Sequence, residues 1–331
     1  MGHTLADKIK SGHSRLVFYS LTPPKITTNQ DRIAEIAQAQ AARISALDID
    51  ALILYDIQDE ATRTEQERTF AFIPTVLPEQ YSRDYFHQLK VPRIIYKSIA
   101  NLNAAQFQQW LTDNSDIHHA VFVGASSQQQ IEQTNFSLSD AYALRQQHVP
   151  NLLIGGVTIP ERHAKKGDEH IRLSNKMEQG CSFFVSQCVY NVNDTKDVLA
   201  DYYYHSRETS QTPAPIVFTL APCGSLKTLQ FMEWLGIKVP KWLYNDLKHS
   251  KDILQASIDT CLNVASELLE YADKKNMSIG FNIESISIKK DEISASIDLL
   301  DQVLKLSKQS FKMAPERPLG KVVEEVRMPH Y

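Results

Sequence analysis

The sequence predicts an α/β protein built as one (β/α)8 barrel over residues 1–310, followed by an irregular tail over 311–331. Three observations favour this fold. Short apolar runs alternate eight times with longer amphipathic stretches. The apolar runs are nearly continuous, as in parallel strands that are buried on both faces. The turn after the first run, Thr22-Pro-Pro-Lys25, lacks the glycines that a doubly wound sheet usually places at its nucleotide site.

The predicted strands share a short apolar run that ends in a polar or turn-forming residue. Their length and their spacing along the chain match the strands of a parallel barrel, in which helical connections separate successive strands. In chain order they cover residues 16–21, 51–55, 93–97, 120–124, 152–157, 182–190, 215–221 and 278–283.

The predicted helices share apolar residues at helical spacing. In the first of them, Ile33, Ile36, Ala37, Ile44 and Leu47 recur every three or four residues and line one face. An insertion at 240–248 and a long helix at 252–273 precede the last strand. The tail contains three prolines, which favour an irregular arm. The helices paired with the eight strands cover 31–47, 78–89, 103–112, 137–147, 169–179, 194–205, 224–235 and 291–307.

Composition excludes several classes of protein. The chain has 331 residues, 43% hydrophobic and 22% charged, with a formal net charge of -4, which is ordinary for a globular protein. Basic residues are scattered, so we expect no nucleic-acid surface. No apolar run approaches the roughly 20 residues of a membrane helix, and the start lacks the apolar core of a signal peptide. We therefore expect a cytoplasmic protein with four reduced cysteines.

In a barrel of this kind, ligands bind at the carboxyl ends of the strands. The strand ends at 155–163 and at Gln187 belong to one βαβ unit, so we expect Pro160, Glu161, His163 and Gln187 to face one ligand. The same rule selects Asn282 beside them. Each of these residues also has an ordinary interpretation, because polar side chains hydrogen-bond the loops of any barrel.

We predict no metal site from the sequence. His118 and His119 are adjacent, so they would point to opposite faces of a strand. His163 and His170 lack the spacing of four residues that places two ligands on one helix face. The sequence contains no His-Glu-x-x-His motif and no acidic ligand cluster.

Five segments together carry a family resemblance. They are Phe18-Tyr-Ser-Leu-Thr-Pro-Pro-Lys25, Ile159-Pro-Glu-Arg-His163, the segment from Lys176 to Gln187, the strand from Pro215 to Pro222, and Val239-Pro-Lys-Trp242. In their order and spacing around one barrel, they resemble segments of the methylenetetrahydrofolate reductase family. The resemblance is remote in each segment, but it runs through nearly the whole barrel.

The resemblance implies a folate enzyme. The family binds FAD at the top of the barrel and passes a hydride from NAD(P)H through the flavin to 5,10-methylenetetrahydrofolate. It implies that Gln187 contacts the pterin of a tetrahydrofolate derivative, since a carboxamide offers both a donor and an acceptor. It also implies that His163 and Lys176 lie near the flavin. The expected partner is thus a small-molecule folate, and the sequence leaves open a homo-oligomer.

Four positions depart from the family. Ser20 stands where the family has the glutamate that acts as general acid, and loss of such an acid typically costs about 10²–10⁴-fold in rate. Ser126 replaces the aspartate beside the flavin ring, and Tyr55 is bulkier where the cofactor should pass. Leu226 replaces the phenylalanine that packs on folate. The folate-side segments therefore match better than the flavin-side segments.

Two functions from different classes follow. The first is a reductase-like oxidoreductase whose acid is supplied by another carboxylate, Glu284 or Glu161. The second is a barrel that binds 5-methyltetrahydrofolate as a carrier, or in one-carbon transfer, and has lost flavin-dependent reduction. A third interpretation is a barrel whose ligand has changed altogether. We place the reductase first because the family resemblance is the strongest evidence in the sequence.

Overall fold

The computed structural model describes residues 4–59, 70–125, 132 and 134–308. Eight parallel strands close into one barrel, each pairing with its neighbours in chain order and β8 pairing with β1. The predicted barrel is therefore confirmed. The predicted tail at 311–331 and the predicted flavin residue Ser126 lie outside the described residues.

The strands agree with the predicted ones to within a few residues at each end. Strand β6 is the longest, and its register shifts against β5 and against β7. The observed strands are β1 Val17–Leu21, β2 Ala51–Leu54, β3 Arg93–Ser98, β4 His119–Val123, β5 Leu153–Thr158, β6 Cys181–Cys188, β7 Ile216–Leu220 and β8 Ile279–Glu284.

The described helices surround the barrel, and the longest of them packs against the last one. Two short helices, the first and the sixth, were not predicted, and the tenth lies where only an insertion at 240–248 was predicted. In chain order the described helices are α1 Leu5–Lys10, α2 Gln30–Ser45, α3 Pro78–Tyr85, α4 Ala104–Asp113, α5 Leu138–His148, α6 Pro160–Lys166, α7 Glu169–Glu178, α8 Val192–Glu208, α9 Leu226–Trp234, α10 Lys241–His249, α11 Ile253–Lys274 and α12 Lys290–Ser307.

Helix α1 closes the amino-terminal end of the barrel. A reciprocal pair of hydrogen bonds between Thr4 and Asp7 caps its start. Its apolar residues Leu5 and Ile9 join the cluster that fills the barrel interior, which also contains Phe18. With this end plugged, access to the interior is left to the opposite end, where the strands terminate.

Side chains along each strand alternate between the barrel interior and the surrounding helices. Phe18 and Phe183 meet edge to face inside the barrel, with ring centroids 6.4 Å apart. Gly280 leaves room inside for the backbone, because a Cβ there would stand 2.3 Å from the carbonyl oxygen of Leu16. By the same alternation, the side chains of Ser20 on β1 and Asn282 on β8 point into the interior near the carboxyl ends of the strands. The packing therefore decides which polar groups face the open end.

Among the described residues, no helix combines the length and the apolar character that crossing a bilayer would require.

Candidate functional site

The open end of the barrel, which we call the mouth, brings Ser20 and Glu284 together. The two residues are partners in the register of β1 and β8. The hydroxyl of Ser20 lies 3.4 Å from Oε2 of Glu284 and 3.4 Å from the carbonyl oxygen of Ile283. The structure thus places a carboxyl group beside the position where the family resemblance expects one.

Tyr55 and Asn282 extend this polar group across the mouth. Asn282 donates from Nδ2 to the Tyr55 hydroxyl at 3.0 Å and to Oγ1 of Thr219 at 3.2 Å. Tyr55 is also hydrogen-bonded to Glu284, and its ring meets Tyr96 edge to face at 4.8 Å. Within the described part of the chain, the buried Oδ1 of Asn282 has no hydrogen-bond partner, so the mouth contains an acceptor that a ligand can satisfy.

Burial affects the protonation of both Glu284 and Tyr55. Desolvation raises the pKa of Glu284, and hydrogen bonds from Tyr55 and Ser20 offset part of that rise. The pKa of Tyr55 is also raised, first by desolvation and then by the nearby charge of Glu284. The protonated form of the Glu284 carboxyl therefore persists to a higher pH than in water, as a proton donor at a binding site requires.

Gln187 is held by the segment that follows α9. Its Nε2 donates to the carbonyl oxygen of Leu235 at 2.8 Å, just after the end of α9. No hydrogen bond to its Oε1 is made by the residues that the structure describes. The amide is thus oriented through its nitrogen, and its oxygen remains available to a donor on a ligand.

Glu161 is hydrogen-bonded to the same segment after α9. It is buried at the start of α6, and its Oε1 accepts a hydrogen bond from the backbone N–H of Lys238 at 3.3 Å. The segment after α9 therefore connects to the ends of β5 and β6 through Glu161 and Gln187. Glu161 has a structural partner here, whereas Glu284 faces the mouth.

His163 and Lys176 are engaged with protein groups outside the barrel wall. His163 contacts Oδ2 of Asp201 through Nε2 at 3.1 Å, and its Nδ1 accepts from the backbone N–H of Glu169 at 3.4 Å. Lys176 donates to the carbonyl oxygen of Val157 at 2.6 Å and packs on the outer face of β5, where Gly156 makes room for it. Burial lowers the pKa of Lys176.

An ion pair that was not predicted from the sequence stabilises this region. Glu169 is fully buried at the start of α7 and accepts from Arg162 at 2.5 and 2.7 Å. It also accepts from the backbone N–H of Ile159 at 2.9 Å. Such a pair forms only when α6 and α7 pack together, and α6 was itself missed. The pair locks the segment that carries His163 onto α7.

Three of the four residues expected to hold a flavin already have protein partners, and the fourth, Ser126, lies outside the described residues. His163 and Lys176 already have protein partners behind the barrel wall. Tyr55 fills the upper interior, hydrogen-bonded to Asn282. In their present contacts, these three residues do not offer a set of free donors to the phosphate or the ring of a flavin. The groups that do face the mouth, Glu284 and Asn282, are suited instead to a polar heterocycle.

Leu226 begins α9 at the edge of the mouth and is 38% exposed. Beside it, Phe70 meets Phe231 edge to face at 5.2 Å, and Nζ of Lys227 lies 4.8 Å from the centre of the Phe70 ring. The contact joins the loop after β2 to the helix after β7. Since β8 and β1 lie between those strands, it flanks the side of the mouth that contains Ser20.

A separate cavity of about 240 Å³ lies near the opposite end of the barrel. It is lined by residues that precede β4 and β5, among them His118 and Leu152, together with Trp110 and His148 from α4 and α5. It contains none of the residues that the sequence predicts for the site. The strand ends, with their buried polar groups, remain the better candidate for function.

Comparison with known proteins gives a consistent result. The sequence profile of the methylenetetrahydrofolate reductase family matches residues 125–281. A solved Clostridium thermocellum protein that binds two copies of 5-methyl-5,6,7,8-tetrahydrofolic acid is 43% identical, with a TM-score of 0.80, and the match covers 91% of this chain and 99% of that one. No curated protein matches.

More distant structures resemble only the general shape. A GH113 β-1,4-mannanase is 13% identical with a TM-score of 0.48, over 88% of this chain and 98% of that one. A 7,8-dihydropteroate synthase from Vibrio fischeri ES114 is 10% identical with a TM-score of 0.45, over 91% and 96%. Likeness at this level carries no argument about function.

Proposed function

Because this chain belongs to the methylenetetrahydrofolate reductase family, we propose that it binds a tetrahydrofolate derivative at the mouth of the barrel. The Clostridium thermocellum relative binds 5-methyltetrahydrofolic acid, which supports the ligand class. The polar groups at the strand ends support the location.

The observation that carries the proposal is the buried acceptor Oδ1 of Asn282, which has no partner among the described residues. A buried polar atom without a hydrogen bond costs about 1–3 kcal/mol. The pterin of a folate carries amide-like N–H and amino donors along one edge, and one of these would satisfy Asn282. The Oε1 of Gln187 offers a second acceptor, and Glu284 offers a titratable group.

Reduction of a methylenetetrahydrofolate is the first candidate activity, because it is the reaction of the family. Opening the methylene bridge needs a proton on a folate nitrogen. In this chain the proton would come from the carboxyl of Glu284, whose raised pKa keeps it protonated to higher pH. The hydroxyls of Ser20 and Tyr55 would then stabilise the carboxylate that remains, since both hydrogen-bond it.

Binding of 5-methyltetrahydrofolate without reduction is the second candidate. The specific support is that His163 and Lys176 are bound to Asp201 and to the carbonyl of Val157, so they offer little to a flavin. The protein would then act as a carrier or in one-carbon transfer. Both candidates use the same pterin contacts at Asn282 and Gln187. They differ in whether a hydride and a proton are transferred to the bound folate.

Calorimetric titration with 5-methyltetrahydrofolate tests the binding itself. We expect Gln187→Leu to weaken binding by about tenfold, or 1.4 kcal/mol. The substitution removes one acceptor for the ligand and the hydrogen bond to the segment after α9. Glu284→Gln should weaken it similarly. Glu178→Gln, at an exposed position at the end of α7, is the matched control and should bind as the unaltered protein does.

The visible spectrum of the purified protein separates the two candidates. The protein is mixed with excess FAD, desalted and scanned. A retained flavin spectrum, together with consumption of NAD(P)H when methylenetetrahydrofolate is added, would support reduction. A colourless protein that still binds 5-methyltetrahydrofolate would support the carrier. Absence of folate binding, with or without flavin, would overturn the proposal.

A further inference from the structure

Four side chains from three helices gather on the outside of the barrel, apart from the mouth. His163 lies on α6, His170 on α7, and Asp201 and His205 on α8. Ligand atoms of His163, His170 and Asp201 all lie within 4.8 Å of one another. Oδ2 of Asp201 is 3.1 Å from Nε2 of His163 and 4.0 Å from Nδ1 of His170.

A simple histidine–aspartate hydrogen bond does not account for this cluster. It would engage His163 and Asp201 but would leave His170 without a role. Nδ1 of His170 is buried and has no hydrogen-bond partner among the described residues, although it is directed at Asp201. Asp201 is half-exposed, so the group has a path from solvent that a small ion can take.

His205 supplies a further donor. It follows Asp201 by four residues on α8, so both side chains project from the same face of that helix. Its ring centroid is 5.3 Å from that of His170, which in turn is 5.6 Å from that of His163. A third imidazole therefore lies next to the cluster of His163, His170 and Asp201.

We propose that His163, His170 and Asp201 form a binding site for a divalent transition metal, with Zn²⁺ as the best match, and that the neighbouring His205 completes it by a rotation of its side chain. Zn²⁺ takes imidazole nitrogen and carboxylate oxygen in a tetrahedron with bonds of about 2.0–2.2 Å, which sets the ligand atoms roughly 3.3–3.5 Å apart. The two separations from Asp201, 3.1 and 4.0 Å, bracket that spacing, and the ligand atoms of His163 and His170 lie within 4.8 Å of each other.

Metal binding changes two existing contacts, because the ion takes the place of the proton between Nε2 of His163 and Oδ2 of Asp201 at 3.1 Å. A metal on Nε2 of His163 puts the ring proton on Nδ1, which now accepts a 3.4 Å hydrogen bond from the backbone N–H of Glu169. That contact is at the long end of hydrogen-bond distances, so its loss costs little compared with forming metal–ligand bonds. Glu169 itself stays fixed by Arg162.

The bound ion would join α6, α7 and α8 at one point. These helices follow β5 and β6, so the site would hold the segment that carries Glu161 against the barrel without touching Glu284. The site contains none of the residues proposed to contact the folate, so Zn²⁺ binding and folate binding can be tested separately.

The test is a titration of chelator-stripped full-length protein with Zn²⁺, followed by calorimetry, and with Co²⁺, followed by visible absorption. We expect stoichiometric Zn²⁺ binding, a higher Tm with Zn²⁺, and a Co²⁺ spectrum typical of tetrahedral coordination. Asp201→Asn and His170→Gln should each weaken Zn²⁺ binding by about tenfold or more. His249→Gln, an exposed histidine on α10, is the control.

The outcomes are distinct. If His170→Gln does not fold, Asp201→Asn decides alone, because its side chain is half-exposed and the change is isosteric. Loss of Zn²⁺ binding in Asp201→Asn but not in His249→Gln supports the site. No stoichiometric binding, or equal binding in all variants, overturns it. Folate titration of the same samples tests the other function separately.

Discussion

The hydroxyl of Ser20 lies 3.4 Å from Oε2 of Glu284, at the point where β1 and β8 pair and close the barrel. The family resemblance expects a glutamate at the position of Ser20. In this chain the carboxyl group stands on the neighbouring strand instead, directed into the same space. An acidic group is therefore still present at the mouth, because the paired ends of β1 and β8 meet there.

Exchanging the two residues tests whether they share one space. We expect Ser20→Glu alone to lower the free energy of unfolding by about 1–3 kcal/mol, because it crowds a filled position and places two carboxyls side by side. In the exchanged protein, with Ser20→Glu and Glu284→Ser, the loss should be smaller than the sum of the single losses. The coupling should reach about 0.5–3 kcal/mol by urea unfolding. Additive losses would show that the two sites are independent.

The raised pKa of Glu284 predicts a pH-dependent stability. Because burial raises this pKa above the ordinary value of 4.5, the unfolded chain releases the proton at lower pH than the folded chain does. The contribution of Glu284 to stability is therefore full below the unfolded pKa and is lost as the pH rises through the folded pKa.

Replacing the group with an amide removes that dependence. We expect the Tm of Glu284→Gln, relative to the unaltered protein, to increase between about pH 4 and pH 8. Thermal unfolding followed by circular dichroism at several pH values measures it. Asp298→Asn on α12, which is exposed, serves as a control for general charge effects. A constant Tm difference across the range would contradict the assignment.

The Arg162–Glu169 pair should be a large contributor to stability. Glu169 is fully buried and accepts three hydrogen bonds, two of them from Arg162. Removing one member of a buried pair leaves the other charge uncompensated, so we expect Glu169→Ala to cost about 3–5 kcal/mol in unfolding free energy. The exposed Glu178→Ala on the same helix should change stability by no more than about 0.5 kcal/mol. Equal effects in chemical denaturation would refute this ranking.

Lys176 should affect stability and leave folate binding intact. Its ammonium group donates to the carbonyl of Val157 on the outer side of the barrel. Lys176→Met keeps the aliphatic length but removes the donor, so we expect a loss of about 1–2 kcal/mol. The exposed Lys166→Met should be neutral. Unchanged stability of Lys176→Met combined with loss of flavin retention would mean that Lys176 holds a cofactor instead.

The regular elements of the barrel could be predicted because they depend on local patterns. The apolar run 51–55 is observed as the strand Ala51–Leu54, and the amphipathic stretch 252–273 as the helix Ile253–Lys274. The short helices α1 and α6 were missed. Each has only six or seven residues, too few for a periodic signal, and both owe their place to tertiary contacts.

The site could be predicted only in part. Strand ends were found by the rule for barrels, so Ser20, Asn282 and Glu284 were recognised as candidates. The rule does not say which way a residue after a strand end points. Packing of α6 and α7 gives His163 and Lys176 protein partners outside the wall, and their place near a flavin stays a prediction.

The sequence by itself determined the (β/α)8 barrel, the family, and the strand ends at which polar side chains meet. Periodicity and motif order are properties of neighbouring residues, so they can be read along the chain. Only the tertiary structure decided that Glu284 borders Ser20, and that His163, His170 and Asp201 converge. The pairing of β8 with β1 and the packing of three helices bring these residues together. They are far apart along the chain, so no sequence pattern indicates that they are neighbours.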